Sequence, residues 1–103
     1  MTESSELLRS YSAQGSESAF RALVDRYLPL VYSTALRQVG GNKTLAEEVS
    51  QDVFIVLARK ADTLIAMSTL APWLFNATRF SAVNRLRGEQ RRLEREQKAY
   101  VME

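Results

Sequence analysis

The sequence predicts an all-α protein, a compact bundle of three to four helices with a long last one. Three observations predict it. Only four Gly and two Pro interrupt 103 residues, apolar residues recur at helical rather than alternating spacing, and Gly15 and Gly40-Gly41 fall where periodic stretches end, as helix-terminating glycines do. A hydrophobic fraction of 46% with 25% charged residues belongs to a globular domain rather than a disordered tail, and the length suits one compact unit.

Ser4 to Gln14 carries Leu7, Leu8 and Tyr11 at helical spacing and reads as a short first helix closed by Gly15. Ser16 is suited to cap the second. Its apolar positions Phe20, Leu23, Val24, Tyr27, Val31, Ala35, Leu36 and Val39 hold a helical period up to Gly40-Gly41. Pro29 lacks an amide and crowds the preceding turn, which predicts a kink or break near Leu28. The third helix starts at Asn42 or Thr44, where Thr44-Leu45-Ala46-Glu47 has the capping-box form, and runs to about Ala61. Leu45, Val49, Val53, Val56 and Leu57 are expected on its inner face, with Glu47, Glu48, Gln51, Asp52 and Arg59 opposite. Asp62 to Leu70 has no period and reads as a loop. Ser68 or Thr69 is placed to cap the last helix and Pro72 fits its first turn. Trp73, Leu74, Ala77, Phe80, Ser81 and Asn84 are its expected inner side, and it runs to about Lys98.

Composition excludes several kinds of chemistry. Without Cys there is neither a disulfide nor a thiolate metal site, and a cytoplasmic location fits. Without His, the Ser-His-Asp, Cys-His and Glu-x-x-His arrangements are all excluded. The expectation is a binding module, with no catalytic residue, cofactor or metal. Residues 1–15 have no apolar signal segment, and no uninterrupted apolar run is long enough to span a bilayer.

Charge is unevenly placed. The net value is +2, but Arg79 to Lys98 holds seven basic residues against three acidic ones, so that stretch carries +4 and the remainder −2. A cationic end on a nearly neutral protein suits a polyanion. Trp73, Phe75 and Phe80 begin the same helix, so groups that stack on bases and groups that pair with phosphates share one element. Core packing competes as the role of Trp73. Glu48 and Asp52, four residues apart, are neighbours on one helix surface; with Glu47 they form either a solvated face near a helix start or a docking surface for a basic partner.

The order of pieces resembles the second conserved region of bacterial sigma factors, in particular the extracytoplasmic-function group, over roughly Ser18 to Gln97. The resemblance rests on Ala19-Phe20-Arg21-Ala22-Leu23-Val24-Asp25-Arg26-Tyr27 with Val31-Tyr32 and Ala35-Leu36-Arg37, then Ala46-Glu47-Glu48-Val49-Ser50-Gln51-Asp52-Val53-Phe54, then Trp73-Leu74-Phe75 leading to Asn84-Arg85-Leu86-Arg87. It implies a sigma region 2-like bundle over 16–98, preceded by an N-terminal helix or arm over 1–15. Residues 99–103 would start a linker to a second DNA-binding domain that the sequence lacks.

The resemblance further implies binding to the clamp coiled coil of core RNA polymerase, and recognition and melting of the promoter element nearest the transcription start. Polymerase binding falls on Glu47, Glu48, Gln51, Asp52 and Ile55. The non-template single strand falls on the loop before the last helix and on that helix: Ser68, Thr69, Trp73, Phe80 and Asn84 at a flipped base, and Arg79, Arg85, Arg87, Arg91 and Arg92 along the phosphates. Phe80 stands where the family often has Asn, and Asn84 where Asp is common, so no base preference carries over. The competing expectation is a helical protein-interaction module whose basic helix meets an acidic partner such as an anti-sigma protein. A small helix-turn-helix or RNA-binding regulator is disfavoured, because no short helix, Gly turn and recognition helix occur in succession.

Overall fold

A computed structural model describes residues 3–67 and 69–102, in which four helices and no strand occur. They are α1 (Glu3–Gln14), α2 (Glu17–Gln38), α3 (Lys43–Leu64) and α4 (Ala71–Met102). The all-α bundle with a long last helix is therefore as expected. None of the described helices is long and apolar enough to cross a membrane.

The termini of the helices follow local hydrogen-bond chemistry. Gly15, at φ 64°, donates its amide to the Tyr11 carbonyl at 2.8 Å and closes α1. Ser16 then accepts the Ala19 amide on its hydroxyl and starts α2. α2 is one helix from Glu17 to Gln38 and not two pieces, although Pro29 lies inside it. Pro29 and Asp25, whose carbonyl loses a partner to the missing amide, are both exposed, so the lost bond falls on the solvent side of the helix. At the far end the Gly41 amide reaches the Leu36 carbonyl at 2.9 Å, a wrap made possible by positive φ at Gly40 and Gly41.

Asn42, rather than Thr44, caps α3: its side-chain oxygen accepts the Leu45 amide at 3.1 Å and its carbonyl accepts the Ala46 amide at 2.9 Å. With Thr44 already inside the first turn, the Thr44–Glu47 box has no free end to cap. α3 also outlasts its expected end at Ala61, because Ala61 and Leu64 both turn into the core. The connection to α4 shrinks to residues 65–70, and Leu70 at its end is itself buried. The Leu70 carbonyl takes the Leu74 amide at 3.0 Å and opens α4. Ser68, one expected cap, lies outside the described residues, and Thr69 is exposed.

α2 and α3 form the centre. α1 and α4 each pack on both of them and do not pack on each other. Leu8 anchors α1 from the core, Tyr11 lies against the Phe20 ring with centroids 4.8 Å apart, and Ser4 and Tyr27 are hydrogen-bonded through their hydroxyls. The core continues through Leu23, Val31 and Ala35 of α2 and Ala46, Val49, Val53 and Leu57 of α3.

α4 presents a row of every fourth residue to that core: Leu70 just before it, then Leu74, Thr78 and Ala82. Trp73, Ala77 and Ser81 flank the row, half-buried. The expected inner side was therefore right for Leu74 and its flanks but wrong for Phe80 and Asn84, which face solvent. Beyond Ala82 no residue of α4 whose side chain is described is buried, and beyond Arg85, the last to reach α3, about 25 Å of helix runs past the bundle at 1.5 Å per residue. Residues 99–102, the expected start of a linker, continue this helix.

Two substitutions test the packing by urea denaturation. Leu57→Ala, at a fully buried position, lowers stability by about 2–5 kcal/mol, whereas Ile55→Ala, two residues away and 50% exposed, costs under about 1 kcal/mol. Thr34 Oγ1 is buried with no hydrogen-bond partner among the described residues. Thr34→Val is accordingly expected to raise stability by about 1 kcal/mol, since it removes an unsatisfied hydroxyl and keeps the shape.

Candidate nucleic-acid interface and docking groove

α3 buries one stripe, which leaves polar residues on both sides of it. Glu47 and Gln51 lie on the side toward α2, Glu48 and Asp52 lie on the side toward α4, and the apolar Ile55, four residues after Gln51, borders both grooves. The single acidic face expected from the sequence is thus two faces. Each borders a surface groove.

The first groove, between α2 and α3, is walled by Phe20, Val24, Leu28 and Tyr32 opposite Gln51, Phe54 and Ile55, with Asp25 and Glu47 among its lining. The second, between α3 and α4, is formed by Val56, Arg59 and Lys60 opposite Trp73, Asn76, Phe80 and Asn84. Their volumes, about 950 and 910 Å³, do not separate them, but their chemistry does. The α2–α3 groove is apolar with carboxylates; the α3–α4 groove combines aromatic rings, side-chain amides and cations.

Phe80 is the ridge of α4. The residue is 71% exposed. On one side lies the α3–α4 groove, and on the other a shallower depression formed with Asn76, Arg79, Val83, Asn84 and Arg87. An uncovered aromatic ring among amides and guanidinium groups is an arrangement on which unpaired bases stack. Trp73 is half-buried and packs on the core while lining the groove. Arg79 lies over the Phe75 ring at 5.8 Å.

Arg85 does not point freely to solvent. Its Nε donates to Asp52 Oδ2 at 2.7 Å, its Nη2 to Asp52 Oδ1 at 2.9 Å and its Nη1 to Glu48 Oε2 at 3.4 Å. Ser81 Oγ donates to Asp52 Oδ2 as well, at 3.2 Å. Hydrogen bonds from Arg85, reinforced by its charge and by Ser81, hold the Asp52 carboxyl below the ordinary aspartate range against the opposing effect of burial, and the Arg85 guanidinium is raised in turn. The two expected binding surfaces, one per helix, therefore meet in a shared ion pair. Farther out, Arg92 is held by Glu89 and Glu96, both at 2.6 Å, and Glu89 is lowered by that contact. Arg87 and Arg91 are exposed and form no ion pair among the described residues.

Residues 23–92, about two thirds of the chain, match the family described as sigma-70 region 2. The chain belongs to the sigma-70 region 2 family. No curated protein and no solved structure matches it significantly. Membership gives this sigma-70 region 2 chain a sigma-factor role in transcription initiation, with core RNA polymerase and promoter DNA as the partners that the family implies.

Of the residues expected at DNA, the bundle brings Trp73, Phe80, Asn84 and Arg85 to one groove and sets Arg79 and Arg87 behind Phe80. Ser68 is outside the described residues, Thr69 is exposed before α4, and Arg91 and Arg92 lie out on the overhang. Sequence reasoning missed Arg59, Lys60 and Asn76 in the α3–α4 groove. It also missed the α2 wall of the other groove. The signal for that wall was the breadth of the apolar arc on α2, since Phe20, Val24 and Leu28 form a second row of every fourth residue beside the buried row of Ala19, Leu23, Val31 and Ala35.

The Asp52 pair gives a pH signature. A carboxyl whose folded pKa is depressed contributes stability that is full above its unfolded value, about 3.9, and is lost as pH falls through the folded value. Asp52→Asn is expected to cost about 1 kcal/mol at neutral pH, as a half-exposed bidentate pair should. The gap to the wild type should close as denaturation is repeated at successively more acid pH, and an undiminished gap in acid would contradict the pairing.

Proposed function

We propose that this domain binds core RNA polymerase through the α2–α3 groove and holds the melted non-template strand of the promoter element nearest the transcription start on the outer face of α4, as members of the extracytoplasmic-function group would. It performs no catalytic step of its own. The observation that carries the reading is Phe80, a large ring left uncovered on a helix whose neighbouring positions are Asn76, Arg79, Asn84 and Arg87. Stacking on such a ring tolerates any base, while the two amides offer donors and acceptors to base edges. Arg59 and Lys60 across the groove, and Arg87 and Arg91 along α4, follow the phosphates. Residues 65–70, with Thr69 exposed among them, border the first turn of α4.

The α2–α3 groove suits a protein helix. Leu28 and Ile55 are 41% and 50% exposed there, and the acidic lining residues Asp25 and Glu47 favour a basic partner, with the apolar anchors supplying most of the affinity. Glu47, Gln51 and Ile55 are the polymerase-binding residues in this reading, joined by Leu28 and Val24. An anti-sigma protein would compete for the same apolar wall.

The test measures both interactions on a few variants. Phe80→Ala should weaken single-strand binding by the core-bound domain by about 1–3 kcal/mol for each base stacked and leave the salt dependence unchanged. Arg87→Ala should reduce the salt slope by about one unit. Leu28→Asp combined with Ile55→Asp should abolish core polymerase binding without unfolding the exposed sites involved. Strand binding indifferent to Phe80 and Arg87 together would defeat the assignment of α4.

A further inference from the structure

Arg85 occupies an awkward place for a phosphate ligand. A guanidinium binds a phosphate most strongly through two parallel N–H groups, and in this domain the Nε and Nη2 edge is already spent on Asp52, with Nη1 turned to Glu48. A strand phosphate approaching Arg85 would also meet two carboxylates beside it. Yet none of the three is shut away. Their side chains are 41% (Arg85), 32% (Asp52) and 41% (Glu48) exposed, so each can exchange its partner for one arriving from outside. Ser81 stays on Asp52 if Arg85 leaves, so the carboxylate keeps a donor.

From this we infer that the Asp52–Arg85 pair is a latch that keeps a phosphate-binding arginine closed in the free domain and opens when a cationic protein group takes up Asp52 and Glu48. The inference rests on the proposed division of labour between α3 and α4. A lysine or arginine of the protein partner placed over the α3 carboxylates neutralises them, frees the Arg85 fork for a phosphate and removes the two charges that would repel it. Coupling of this kind is reciprocal: the factor by which the protein partner tightens strand binding is the factor by which the strand tightens protein binding. For so accessible a pair the coupling falls at the low end of the usual range, about fivefold.

The experiment titrates a labelled single-stranded oligonucleotide against the free chain and against the chain saturated with core polymerase. The variants are the wild type, Glu48→Gln/Asp52→Asn, the same pair combined with Arg85→Ala, and Glu47→Gln, which removes a carboxylate from the same helix without touching Arg85. The latch predicts that Glu48→Gln/Asp52→Asn raises strand affinity of the free chain about fivefold, well beyond the gain from Glu47→Gln. The extra gain should vanish with Arg85→Ala, and on core polymerase the double variant and the wild type should bind the strand alike. A gain no larger than that of Glu47→Gln, a gain that survives Arg85→Ala, or strand binding by the core complex without any gain in the free variants overturns the latch while leaving the assignment of α4 intact. Failure of every form, free or core-bound, to bind the strand overturns that assignment and the latch with it.

Discussion

The rotation of α4 about its own axis is the constraint on which the rest depends. Leu70, Leu74, Thr78 and Ala82 enter the space between α2 and α3, and a row at intervals of four permits one angular setting. With that row inward, Phe80 must face out and Arg85 must come to rest over α3, where Asp52 receives it. Turning α4 by the 100° between successive residues would bury a different set and undo both. Thr78 is compatible with the core because its hydroxyl donates to the Leu74 carbonyl at 2.7 Å, which satisfies the polar atom within the helix.

The same setting divides the molecule's surface. α3 is the shared wall, apolar and acidic toward α2, acidic and then basic toward α4. A protein bound in one groove and a strand in the other would be separated by a single helix width, with Asp52 and Glu48 between them. Short separation across a rigid helix is a favourable geometry for one partner to sense the other through charge. The overhang of α4 extends the cationic surface away from the bundle. Its Arg92 is committed to Glu89 and Glu96, which braces an unsupported helix through pairs three and four residues apart.

Much of this was legible in the sequence, for identifiable reasons. Helix ends set by backbone chemistry were, because Gly15, Gly40 and Gly41 do something other residues do poorly. The Asn42 cap was visible only as one of two choices, since Thr44 with Glu47 satisfied a local pattern that tertiary structure did not use. Residues 62–64 read as loop because polar Asp62 and Thr63 hid a stripe that Val53, Leu57, Ala61 and Leu64 in fact carry on at intervals of four, four and three. The angular setting of α4 was the main error. Phe80 has the hydropathy of a core residue and Thr78 does not, yet Leu74 and Ala82 fix the row to which Thr78 belongs. The candidate site was legible only in part: Trp73, Phe80, Asn84 and Arg85 share one groove, but the ion pair joining Asp52 to Arg85 spans 33 positions and has no local signature.

The central claim is that Phe80 meets the strand while the α2–α3 groove meets the polymerase. Photocrosslinking from a benzoylphenylalanine placed at position 80 or position 28, in the assembled complex of the domain, core polymerase and promoter DNA, tests it most directly. The account predicts adducts to the non-template strand from position 80 and to a polymerase subunit from position 28. Adducts to protein from position 80, with DNA captured at position 28, would contradict it.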